Sequence, residues 1–173
     1  MNRAWLFASL FGIGACANAP DSQNNTHNYE IYAAALKAFA PADSLPLRVS
    51  SRTAALTLVD RLGDTSALYV TMQRDTGVGP ELLRSYDRAN TKSVQLCNCF
   101  PKPLHVHLVQ YTRRADVAGP IELSNIAFNR DHSRALVEVS QSCGRLCSGA
   151  SLYLVIHARD GWRVVRPLFT GAS

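Results

Sequence analysis

Hydrophobic and polar positions divide the chain into three stretches of unlike pattern. Residues 4–15 carry no charge and hold Trp5, Leu6, Phe7, Leu10, Phe11 and Ile13, whereas residues 17–28 are rich in Asn, Gln, Ser and Asp and almost free of apolar side chains. From Tyr29 the apolar positions become periodic. Tyr29, Tyr32, Leu36 and Phe39 recur at spacings of three and four, with alanine at 33, 34, 35, 38 and 40, which predicts a helix capped by Thr26 or Asn28 and stopped by Pro41. A second helix is predicted over 81–89, with Pro80 in its first turn and Leu82, Leu83 and Tyr86 facing inward.

The remaining runs read as strands. Residues 46–50 form a short one, 56–62 fit a helix or a strand, 67–72 are of β type, and 104–111 alternate. In the final third, 123–128, 135–140, 152–158 and 162–165 predict four strands, with turns at 129–133 and 143–149 and at Asp160-Gly161. Leu152, Leu154 and Ile156 fall on one face and Val155 on the other, so the sheet is expected to bury one side. The pattern predicts an α+β domain over 29–173, in which both helices pack on one face of an antiparallel β-meander.

Length and composition narrow the picture without changing it. The chain has 173 residues, room for one ordinary domain, and its 47% hydrophobic and 18% charged content excludes a disordered polymer. Its formal charge is +5, from 18 Lys and Arg against 13 Asp and Glu. The basic residues are scattered and form no run longer than Arg113-Arg114, so nucleic acid is not an expected partner.

The unpaired apolar dozen changes more. Preceded by Arg3 and too short to span a bilayer, residues 1–15 read as a signal peptide, with residues 16–28 as a polar tether. Ile13-Gly14-Ala15-Cys16 resembles the lipobox of bacterial lipoproteins, which implies acylation of the Cys16 thiol and a membrane partner through that anchor. Ile13 departs from the usual leucine. Ordinary signal-peptide cleavage after Ala17 or Ala19 also fits the small-x-small rule. The expected address is outside the cytosol: the periplasmic side of the outer membrane for a Gram-negative lipoprotein, with Ala17 in place of a retaining Asp, and otherwise periplasmic or secreted.

In that setting Cys97, Cys99, Cys143 and Cys147 are expected to form disulfides. Cys143 and Cys147 flank a glycine-containing turn and make the favoured pair, whereas a Cys97–Cys99 bridge needs a local bend and a cross-bridge between the pairs stays open. Two other chemistries use the same atoms. Cys97 and Cys99 with His105 and His107 offer two thiolates and two imidazoles for a metal, and Cys97-x-Cys99 offers a thiol–disulfide couple.

No catalytic motif stands out. Asp75-Thr76-Gly77 has the letters of an aspartic-protease triplet but follows Gln73-Arg74 and has no second copy, which makes it a turn. Gly77-x-Gly79 lacks a third glycine, and no Gly-x-Ser-x-Gly, His-Glu-x-x-His or phosphate-loop lysine occurs. His27, His132 and His157 read as surface residues. Leu123–Asn129, Ala135–Ser140, Cys143–Cys147 and the closing Gly161-Trp162-Arg163-Val164, with Tyr29–Ala34 and the stretch from Ser85-Tyr86 to Leu96, resemble a group of exported bacterial proteins without an assigned reaction. The resemblance implies a shared fold and no activity. The expectation is therefore an envelope accessory domain with a structural or binding role and no cofactor. A metal- or thiol-active protein and an envelope enzyme remain as alternatives.

Overall fold

The structure is a computed structural model that describes residues 26–40, 46–58, 70, 74, 78–102, 104–110, 118–144 and 147–172. The leader, most of the tether and the Asp75-Thr76-Gly77 triplet lie outside the described residues. Among the described residues, two helices and seven strands can be traced: α1 (Thr26–Phe39), β1 (Leu47–Ser50), α2 (Pro80–Ala89), β2 (Val106–Val109), β3 (Ile121–Leu123), β4 (Ala127–Phe128), β5 (Arg134–Gly144), β6 (Cys147–Ala158) and β7 (Gly161–Ala172). The fold is α+β. Helix α1 opens at Thr26 and buries Asn28, so the last three positions of the expected tether are helical and Asn28 does not cap.

The strands form one sheet in the order β2-β1-β3-β5-β6-β7, with β4 paired to β5 beside β3. A meander is present in β5, β6 and β7, joined antiparallel from Arg134↔Ile156 to Gly144↔Cys147 and from Ala158↔Gly161 to Gly149↔Ala172. The other half departs from it, because β1 runs parallel to both β2 and β3. The predicted strand over 123–128 is interrupted. The Ser124 hydroxyl takes the Glu138 N–H of β5 and donates to the Asn125 carbonyl, and Asn125 turns its amide to the Ala89 and Lys92 carbonyls, which divides the run into β3 and β4. Strands β5 and β6 continue to Gly144 and Cys147 instead of turning at 143–149, and β7 continues past Val165 to Ala172. Pro167 is tolerated in β7 because that strand is an edge and its register slips there, between Tyr153↔Pro167 and Leu152↔Phe169. Of the β-type run expected over 67–72, only Val70 is described, with helical geometry, and the rest of that run lies outside the described residues.

The helices do not share a face. Side chains alternate across a strand, so Ala135, Val137 and Val139 of β5 join Tyr153 and Val155 of β6 on one side, where they pack with Tyr29, Tyr32, Ala35 and Leu36 of α1. Leu136 joins Leu152 and Leu154 on the other side, against Leu82, Leu83 and Tyr86 of α2. Two apolar clusters thus sandwich the sheet, and the one-sided arrangement inferred from alternation is corrected. The physical reason is plain in β5 and β6, whose middles are apolar at consecutive positions and so require cover on both faces. Helix α1 is itself covered twice, by the sheet and by residues 96–100, where Phe100 meets Tyr29 edge-on at 4.9 Å between centroids.

Candidate functional site

Both expected sulfur pairs are adjacent in space. Cys97 pairs with Cys99 across a bend at Asn98, with Cα atoms 5.3 Å apart, and Cys143 pairs with Cys147 across the β5–β6 tip at 5.0 Å. Both separations lie in the range a disulfide spans. The tip pair is solvent-exposed; Cys97 is half-buried, and its N–H donates to the Tyr29 hydroxyl at 2.7 Å. Burial pushes the Tyr29 phenol above its ordinary 10.0, and the Cys97 N–H opposes that rise by favouring the oxygen's charged form. His105 and His107 are exposed on either side of buried Val106. Among the described residues no three His, Cys, Asp or Glu side chains gather where a metal ion could sit, so Cys97, Cys99, His105 and His107 do not form the quartet their spacing allowed.

A different set of polar residues is gathered where α2 ends. The last four carbonyls of a helix lack intrahelical donors, and here each receives one. Asn90 donates its backbone N–H to Asp87 and Tyr86 and its Nδ2 to Tyr86, the Thr91 hydroxyl donates to Arg88, and Asn125 Nδ2 donates to Ala89 at 2.7 Å. Asn125 Nδ2 also donates to the Lys92 carbonyl at 2.7 Å, while the Asn125 N–H donates back to Asn90 Oδ1. The two asparagines, both buried, therefore latch α2 to the β3–β4 connection. Asn125 Oδ1 is buried without a hydrogen-bond partner. Beneath the latch, the Ser124 hydroxyl accepts the Glu138 N–H and donates to the Asn125 carbonyl, and the Tyr86 hydroxyl donates to Glu138 Oε2 at 3.2 Å.

Next to this latch lies an open groove of about 640 Å³, a volume in the range of small-molecule sites. Its wall from α2 and the segment after it carries Arg88 and Lys92, both exposed. The opposite wall is β4 and the β4–β5 turn, where His132 stacks on Phe128 with centroids 4.8 Å apart and planes 10° from parallel. That turn is held by its own side chains. Asp131 Oδ1 accepts from the Ser133 N–H and hydroxyl, and Asn129 Oδ1 accepts the Arg134 N–H. These bonds hold the exposed Asp131 carboxyl below its ordinary value, with the Ser133 hydroxyl contributing most. His132 sits at φ 56°, a conformation few residues other than glycine adopt, and it is the sole described non-glycine residue to do so.

Comparison with protein-family models, with curated proteins and with solved structures finds no match to this chain. The site therefore stands on its geometry. Sequence reasoning found the cysteines from their spacing but placed His132 on an ordinary surface and passed over Asn90 and Asn125. A signal for Asn125 was present, since a buried-type amide interrupts the apolar run from Leu123 to Phe128. No local signal joins residues 85–94 to residues 125–132, because they meet only in the folded chain, where α2 packs on the sheet.

Proposed function

We propose that this chain is an exported cell-envelope domain, held at a membrane by an acyl group on Cys16, that acts by binding and carries no catalytic centre. The observation that carries the reading is the division of the five cysteines: four fall into two adjacent pairs, and the fifth stands next to the apolar dozen. Adjacent pairs of this kind suit an oxidising compartment, and a lone cysteine after Gly14-Ala15 suits lipid attachment. Ala17 after it favours passage to the outer membrane of a Gram-negative cell. Its resemblance to exported proteins points the same way.

The test is an intact mass of the protein recovered from the membrane fraction, with a Cys16→Ser variant beside it. A mature chain that begins at Cys16, carries acyl mass and has its other four thiols inaccessible to alkylation supports the proposal. A chain that begins at Asn18 or Pro20 keeps export and removes the anchor. Full-length protein in the cytosol, with every thiol open to alkylation, removes both.

A further inference from the structure

The groove between α2 and β4 offers positive charge that the fold does not use. Cations near a helix C-terminus ordinarily complement its exposed carbonyls. Here those carbonyls are already satisfied by Asn90, Thr91 and Asn125, so Arg88 and Lys92 are not needed as caps. Neither takes part in an ion pair among the described residues, and no carboxylate lines the groove. Facing them, His132 is fixed on Phe128 by a turn that keeps its backbone at an unfavourable φ. Ser85 and Ser93 add hydroxyl groups around the same space.

We propose that this groove binds a small phosphate-bearing ligand, with the phosphate between Arg88, Lys92 and His132. Phosphate is the anion that fits. It presents several acceptor oxygens, which match one guanidinium, one ammonium, one imidazole and nearby hydroxyls, whereas a carboxylate has two oxygens and would leave most of these donors idle. Phe128, partly exposed in the opposite wall, gives the rest of the ligand an apolar surface. This site is independent of how the protein is anchored. The same chemistry reaches it as a free phosphoester or as a phospholipid headgroup, and experiment separates the two.

The experiment follows amide and imidazole resonances of the purified protein during titration with inorganic phosphate, glucose 6-phosphate and glucuronate, and co-sedimentation with phosphatidylcholine vesicles with and without phosphatidylglycerol. Saturable shifts at Lys92, Ser93 and His132 with glucose 6-phosphate are expected. An Arg88→Gln/Lys92→Gln double variant should weaken binding by roughly tenfold or more. His132→Asn tests the imidazole alone, since asparagine tolerates a positive φ. Arg166→Gln, on β7 outside the groove, should change nothing. Retention only on phosphatidylglycerol vesicles, with the same dependence on Arg88 and Lys92, assigns the phosphate to a lipid. The proposal is overturned by the absence of both kinds of binding, by binding that survives the double variant, by an equal loss in Arg166→Gln, or by glucuronate binding as tightly as glucose 6-phosphate.

Discussion

Asn125 holds two pieces of chain with one side chain. Its Nδ2 donates to the carbonyls of Ala89 and Lys92, and both bonds are lost in Asn125→Ala. Each is worth about 1 kcal/mol net, and the part-buried carbonyls left without this donor add some desolvation cost, so a loss of about 2–3 kcal/mol is expected in urea unfolding. Asn125→Asp should be worse than alanine, because a buried carboxylate cannot donate to either carbonyl and repels both. An aspartate variant as stable as the alanine variant would mean that the latch is not set by donation. Asp131 gives a prediction with a sign. Its carboxyl is lower in the folded state than in the unfolded chain, so the turn's support is complete above the ordinary Asp value, near 3.8, and fades as pH falls through the lowered folded value. His132 resonances should therefore report a loosening of the turn in that acid window, and Asp131→Asn should abolish the transition.

At the level of elements, what was readable from the chain was what depends on near neighbours. Helices α1 and α2 follow from apolar spacing and proline placement, and α2 buries Leu82, Leu83 and Tyr86 as that spacing requires. The β6–β7 hairpin follows from Asp160-Gly161, with Gly161 at φ 112°. The parallel pairing of β1 with β2 was not readable, since two four-residue strands more than fifty positions apart carry no mutual signal. The groove was hidden for the same reason. The Cys143–Cys147 pair was readable because it closes a short loop around a glycine, whereas the partners of Cys97 and Cys99 stayed open; the shortness of that loop limits the value of the tip pair. For Cys143–Cys147 the chain-entropy model gives about 2 kcal/mol, so a Cys143→Ser/Cys147→Ser variant should lose at most that much in global stability. Its effect should concentrate at the tip, as faster amide exchange from Ser140 to Gly149 with the β5–β6 centre unchanged. A larger global loss would show that the tip takes part in the cooperative core.

For the whole molecule, the decisive feature is a sheet covered on both sides. The continuous apolar positions Ala135-Leu136-Val137 and Leu152-Tyr153-Leu154-Val155 already required it, since a sheet with one wet face would show polar residues at every second place. Leu36 of α1 and Leu83 of α2 are both fully buried, but in different clusters with the sheet between them. Leu36→Ala and Leu83→Ala should each cost about 2–5 kcal/mol, depending on how far the surroundings close over the lost volume. Because the sites share no partner, the cost of the double variant should equal the two single costs within about 0.5 kcal/mol. If the helices instead met on one face, the two cavities would merge or relax together, and the double variant would depart from additivity by more than that. Equilibrium unfolding of the four proteins thus measures the arrangement itself, through a coupling that two separate cores do not have.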